Sequence, residues 1–410
     1  MPPATLRPAV HSEVGALREV IVHRPGRELR RLTPGNKDEL LFDELVWVDR
    51  AQEEHDAFSA TLAAQGVRVR QFADLLAETV ADPVARAAAI ARVATVDACG
   101  RELHERVCAH LAALSDHELA ASLIGGVTVG EVAGAGRGFA GGVLGPTAFL
   151  TAPLPNTVFT RDPSAWIGRG LVHSPMHHEA RRAERQLWRT VYDGHPEFAG
   201  QAATVWYGGQ DRDYYPATIE GGDVLVLSAT CVAVGVSERT HAVAVEHLAA
   251  ALFAAGEVRS VLAVELPRTR GTMHLDTVVT VVDRDAVVLW PRILEQAVVH
   301  RLTPTGGPMR VERVPRLVDA FAEGLGVDRL RVITTGSDEV LADREQWDDG
   351  NNTLALRPGV VVAYERNVDT NRRLTEAGIE VLAVPGSELP RGRGGPRCMS
   401  CPVWREEVGP

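Results

Sequence analysis

Cys398 and Cys401 stand in RGRGGPRCMSCP (391–402), a glycine-rich stretch that also holds three arginines. A thiolate is both a strong nucleophile and a soft metal ligand. Three chemistries therefore compete for the pair: half of a zinc site, a redox couple, or one nucleophile with a packed neighbour. A closed zinc site needs a second pair at matching spacing, and Cys99 and Cys108 do not supply it. No thioredoxin-like unit surrounds the pair, which weighs against redox exchange. The favoured reading is Cys398 as nucleophile and Cys401 as its packed neighbour, with zinc and redox kept as the lesser alternatives.

A nucleophile needs an acid–base partner and a polarised target. MHLDT sets His274 and Asp276 two residues apart at the start of an expected strand, where both side chains would project from one face. Taken alone, a His-x-Asp pair is more often a structural hydrogen bond. EGGD puts Glu220 at the corresponding point one unit earlier, before two glycines that permit close backbone approach. FTRDP puts Asp162 in the leading strand one unit earlier again. Three carboxylates, one histidine and no nearby lysine make an anionic pocket. Such a pocket suits a planar cation with several N–H donors, because carboxylates accept paired bonds from a guanidinium. His274 would then act as acid and base beside Cys398. A metal hydrolase built on His274 lacks a second histidine ligand, since His177 and His178 fall elsewhere in their unit.

The bulk numbers exclude more than they assign. At 410 residues and 45% hydrophobic content the chain can bury a sizeable core. A formal charge of −11 argues against nucleic acid as a partner. No long apolar run or signal-peptide core is present, so a cytoplasmic protein without membrane contact is expected. Five cysteines, an odd number, do not make a secreted disulfide framework. Lys37 is the only lysine and has no phosphate-loop glycines around it. That argues against Walker-type nucleotide hydrolysis and against a pyridoxal Schiff base. GAGRGFAG contains G-x-G-x-x-G at Gly136, Gly138 and Gly141, but neither a leading strand nor a following helix is expected there. No metal or organic cofactor is expected.

The elements that must position these residues repeat. DVLVLSATCVAVGV reads as two apolar strands around a turn, RTHAVAVEHLAAALFAAG as a helix stopped by Gly256, and VRSVLAVEL as a returning strand. The same strand–strand–helix–strand order begins again at HLDTVVTVVDRDAVVLW, at NTLALRPGVVVAYERN and, more loosely, at NTVFTRDPSAWIGRGLVH. A first copy, from LREVIVHRP to VRVRQF, lacks one strand, which the segment after Cys398 would supply. Units that cannot bury their own faces must pack on one another, and a radial arrangement protects their edges. A doubly wound sheet would not call for paired hairpin strands. Residues 75–148 break the pattern and read as an inserted helical domain with a glycine-rich return, set between catalytic segments 1–74 and 149–410.

These residues give the chain a strong resemblance to the arginine deiminases of the guanidino-group modifying (pentein) superfamily. It runs through VHRPGRELRRLTPGN, LLFDE, EEHDAF, PLPNTVFTRDP, EGGDVLVL, GVSERT, MHLDT, REQWDDGNNTLAL, VVAYERN and ELPRGRGGPRCMSCP. The resemblance implies an α/β fold: a five-bladed α/β propeller of ββαβ modules with pseudo-fivefold symmetry, plus the inserted α-helical domain. It further implies Cys398 as nucleophile, His274 as general acid and base, Asp162 and Asp276 as guanidinium holders, and Glu220 as a further contact. Asn156, Arg181, Arg239 and Arg393 would bind the amino-acid end of L-arginine, with Phe159 on its aliphatic stem. By composition alone, Arg181 and Arg239 would pass as solvated surface residues. The implied reaction converts free L-arginine to L-citrulline and ammonia through a thiouronium intermediate, in a homo-oligomer. Its competitors are an amidinotransferase, a modified-arginine hydrolase, and a non-catalytic arginine binder. The long approach YGGQDRDYYPATIEGGD to Glu220 has no assigned effect.

Overall fold

Short valine-rich runs, β-branched and therefore suited to buried pleated strands, set the architecture. The computed structural model describes residues 8–199 and 204–408. Val224–Ser228 and Cys231–Val236 pair antiparallel, helix Ala242–Ala254 follows, and Ser260–Glu265 returns parallel to the second strand. The same plan recurs from Ser164–Ile167 to Thr204–Tyr207, from Val279–Asp283 to Arg331–Thr334, and from Leu354–Arg357 to Glu380–Val384. In each, the leading strand is antiparallel to the middle one and the middle strand parallel to the last. The first unit obeys the rule with a borrowed strand. Cys401–Arg405 lies antiparallel to Leu17–Val22, which runs parallel to Arg68–Gln71. The result is an α/β fold of mixed sheets.

One sheet is larger than expected. The hairpin Val298–Thr303 and Arg310–Val314 adds to Ser260–Glu265, giving five strands. Alternation in VVHRLT and MRVERV around TPTGGP carries this signal.

The insert is helical over Phe72–Val80, Pro83–Val93, Arg101–Ala112 and Asp116–Gly125. Asp82 accepts the N–H groups of Val84 and Ala85 ahead of Pro83, and Ser115 with Glu118 closes a capping box. Phe72 stacks on Trp188 at 4.5 Å, within one buried cluster that includes insert and sheet residues alike. The glycine-rich return differs from expectation in one respect: a helix, Phe139–Leu144, does follow Gly138. Three-residue 3-10 turns, not a strand, precede it, and a Cβ at Gly141 would collide with the Ala135 carbonyl. The third glycine serves the packing of its own turn. Among the described residues, no helix is long and apolar enough to cross a membrane.

Candidate active site

Glu220 and His274 occupy equivalent places in consecutive units. Each precedes a single 3-10 turn, Gly221–Asp223 or Leu275–Thr277, that leads into the first strand of its unit. His274 and Asp276 are therefore on a turn and not on a strand, and Asp162 likewise precedes its strand. The turns tighten because Asp223 reaches across to the next unit and accepts the Leu275 N–H at 2.8 Å. The glycines of EGGD have a physical reason. A Cβ at Gly222 would lie 2.5 Å from His274 Nδ1 and 3.0 Å from Asp162 Oδ1. Only glycine lets the three units meet so closely.

Asp162, Glu220, His274, Asp276 and Cys398 converge as a buried set. The imidazole Nε2 bonds Glu220 Oε2 at 2.9 Å, and Nδ1 lies 3.7 Å from Asp162 Oδ1. The Cys398 sulfur contacts Asp276 Oδ2 at 3.7 Å, and its backbone N–H donates to Asn352 Oδ1. Two oxygens stand out. Asp162 Oδ1 and Asp276 Oδ1 are buried and accept no hydrogen bond, a costly condition unless a donor comes to them.

The charges explain the protonation pattern. Burial alone would push the His274 imidazole down, but Asp162, the Glu220 hydrogen bond and Asp223 outweigh it and raise its pKa to about 9. Glu220 moves the opposite way: against burial, Arg239, His274 and Arg181 hold it well below the usual carboxylate range. Burial, then Asp276, Asp162 and Asp349, pushes the Cys398 thiol well above its ordinary value, and Arg397 opposes them. The resting pair is an imidazolium and a neutral thiol.

Arg181 and Arg239 are buried, contrary to the surface reading from composition. Arg181 donates to Asp162 Oδ2 at 2.6 Å, to Glu184 through Nε and Nη2, and to the Asn156 carbonyl. Arg239 donates to Glu220 Oε2 at 3.3 Å, and its Nε lies 3.5 Å from Glu238 Oε1. Asn156 is tied by its side chain to the Leu40 carbonyl, and Phe159 stacks near Phe42. Arg393, at φ 66°, lies over the Trp347 ring and donates to the Trp347 carbonyl, with Nε and Nη2 left unpartnered. Asp162, Glu220 and His274 offer ligand atoms within 4.8 Å of one another, a donor set that could hold a metal. Asp162 Oδ2 and Glu220 Oε2 already accept bonds from Arg181, Arg239 and His274, so the set is built around cationic N–H groups.

Several residues of this network escaped the sequence reading. Arg397 donates to Asp276 Oδ2 at 2.7 Å and grips both oxygens of Glu13, while Glu184 supports Arg181. Glu13 also accepts the Val226 N–H. Asp349, at φ 62°, is raised to about 7 by burial, with Asp276 and Asp348 adding to it. Arg397 adjoins the candidate nucleophile in sequence, and that adjacency was the available signal. Glu13 had none.

Comparison with known proteins fits this geometry. The family profile for arginine deiminase matches residues 38–405. An arginine deiminase from Rhodococcus opacus (strain B4) is 47% identical over 406 residues, 97% of each chain. Among solved structures, an amidinotransferase from Microseira wollei superposes with a TM-score of 0.60 at 14% identity, covering 98% of both chains. A dimethylarginine dimethylaminohydrolase from Pseudomonas aeruginosa, in complex with citrulline, gives 0.53 at 15% identity, covering 94% of this chain and 99% of its own. At such identities these two structures speak to the fold alone.

Proposed function

The chain belongs to the arginine deiminase family, and from that premise we propose how its buried pocket hydrolyses L-arginine to L-citrulline and ammonia. The observation that carries the mechanism is the pair of open oxygens, Asp162 Oδ1 and Asp276 Oδ1. A guanidinium supplies the N–H donors they lack and neutralises the carboxylates that keep the Cys398 thiol protonated. Its arrival lowers the thiol pKa, the thiol releases its proton to water, and the thiolate adds to the central guanidinium carbon. The His274 imidazolium protonates the departing nitrogen, which leaves as ammonia. The same imidazole, now neutral, takes a proton from water. The resulting hydroxide attacks the thiouronium carbon, and the thiolate departs as citrulline forms. Both aspartates hold the nitrogens through the charge changes, and Glu220 keeps the imidazole oriented.

At the other end of the substrate, Arg393 has unspent N–H groups for the carboxylate, with Arg239, Asn156 and Phe159 completing the proposed amino-acid-end set. Arg181 is fully engaged by Glu184, Asp162 and Asn156, so within the amino-acid-end set its contribution is to fix Asp162. The five repeated units are read as blades of an α/β propeller with pseudo-fivefold symmetry, with 75–148 inserted between 1–74 and 149–410. Pairing of Cys401–Arg405 with Leu17–Val22 supports that closure. The same reading makes the protein a cytoplasmic homo-oligomer.

Cys398→Ala tests the assignment. Citrulline production falls by at least about 10⁴-fold, because the covalent route is gone. Calorimetry on the same variant still shows arginine binding. Substantial citrulline formation by Cys398→Ala refutes the mechanism.

A further inference from the structure

The segment YGGQDRDYYPATIE, whose effect the sequence left open, forms a cavity wall outside the catalytic pocket. Arg182, Arg185, Arg212, Tyr214, Tyr215 and Thr218 line a cavity of about 290 Å³. Its floor is the outer face of helix Glu179–Gly194, which carries Arg181 and Glu184 to the catalytic side.

The charges there do not balance. Arg185 is buried, yet its hydrogen bonds go only to the backbone carbonyls of Gly208 and Gln210, and its Nε is buried with no acceptor. Buried guanidinium groups are ordinarily paired with carboxylates, so this one lacks a close counter-charge: Asp211, in the same wall, attracts it without forming a hydrogen bond or ion pair. The guanidinium carbons of Arg185 and Arg212 sit 5.0 Å and 4.5 Å from the Tyr214 ring centroid, which gathers two cations at one aromatic. Arg182 and Arg212 have no ion-pair partner among the described residues. Arg189, behind the wall, reaches Asp211 at 3.5 Å. Asp213, the other acid at the rim, accepts the Tyr215 N–H of its own turn. Four guanidinium groups thus meet two carboxylates, both exposed.

Neighbouring groups register the surplus. The Arg185 pKa is lowered, first by burial and then by Arg189, with Tyr214 and Asp211 opposing them. His173 is pushed down to about 3, first by burial and then by Arg189, Arg185 and Arg92.

We propose that this cavity is a binding site for a small phosphoryl polyanion, held by Arg182, Arg185 and Arg212, with Tyr214 and Tyr215 beside it. Planar guanidinium forks match phosphate oxygens, and a dianion supplies the counter-charge that Arg185 lacks. The site is distinct from the arginine pocket, although Thr218 places its wall two residues from Glu220.

Calorimetry with pyrophosphate on the full-length protein tests it, with ionic strength held constant by sodium chloride. The expected result is saturable binding at one site per chain, weakened at least tenfold in the Arg182→Gln/Arg212→Gln double variant. Both arginines are exposed, so the variant keeps its circular dichroism and its turnover. Orthophosphate and AMP, run in parallel, separate a free-phosphate occupant from a nucleotide that also uses the tyrosines. No saturable heat above the salt control overturns the proposal. So does pyrophosphate binding that the double variant leaves unchanged.

Discussion

Asp162 and Asp276 end in the same arrangement by different means. Each has one oxygen held by a buried arginine and one left open, and each arginine is backed by a second acid. On the Asp162 side the support is local: Arg181 and Glu184 are one helical turn apart. On the Asp276 side it spans the chain, with Arg397 and Glu13 separated by 384 positions. The surplus charge also differs in sign. Burial would raise Glu13, yet Arg397, Arg161 and Arg405 hold it near 2. Burial raises Glu184 to about 7, and nearby Asp162 and Glu220 add to it despite Arg181. Negative surplus surrounds the imidazole and keeps it charged. Positive surplus lies behind Asp276, around Glu13, while at the Cys398 sulfur burial and the carboxylates still outweigh Arg397. The two supports thus differ in charge, while the imidazole and the thiol between them share one negative field until a cation enters.

Breaking either open carboxylate tests that symmetry most severely. Asp162→Asn and Asp276→Asn should each lower kcat/KM for arginine by about 10²–10³-fold, the scale for losing one preorganised electrostatic contact. A variant that keeps near-normal turnover removes its aspartate from the mechanism. The supports should separate more clearly in stability. Glu13→Gln leaves a fully buried Arg397 under-compensated and should cost about 3–5 kcal/mol in denaturant unfolding. Glu184→Gln should cost less, since burial and the neighbouring Asp162 and Glu220 already oppose the charge on Glu184. Equal losses erase the distinction drawn between the two sides.

The pH dependence sharpens it further. The His274 pKa is raised in the folded state, so its stabilisation is complete below about 6.5 and fades as pH rises through about 9. On the role proposed for His274 as general acid, turnover should fall over the same alkaline range, and a pH–kcat profile reads this directly. Glu13 has a lowered pKa, so its contribution is present above about 4.5 and disappears as pH falls toward 2. Unfolding curves at both extremes should show opposite limbs. The smallest effect belongs to Cys401, packed against Ser164 and Tyr192. Cys401→Ala should change kcat by no more than about twofold and cost about 1 kcal/mol, the scale of a small buried side chain.

Much of this was legible in the residues. The strand–strand–helix–strand repeat, the glycines against His274 and the borrowed strand after Cys398 follow from hydrophobic period and side-chain size. What stayed hidden shares one cause. Glu13 and Glu184 look like ordinary solvated acids, and only three-dimensional contact reveals which arginine each one answers. Arg181 and Arg239 would likewise have passed as surface by composition, and only resemblance placed them in the pocket. The Val298–Thr303 hairpin alternates clearly, but it sits inside a unit whose expected order has no place for it.

The pairing of Leu17–Val22 with Cys401–Arg405 bears on how the protein is made. The early strand leaves the ribosome with one edge bare. At about 5–20 residues per second, its mate emerges only tens of seconds later. Until then the nascent polypeptide has neither that pairing nor Cys398, so the chemistry proposed for its sulfur must wait for synthesis to reach the far strand. The exposed edge invites mispairing through that interval, and chaperone shielding would have its greatest value there.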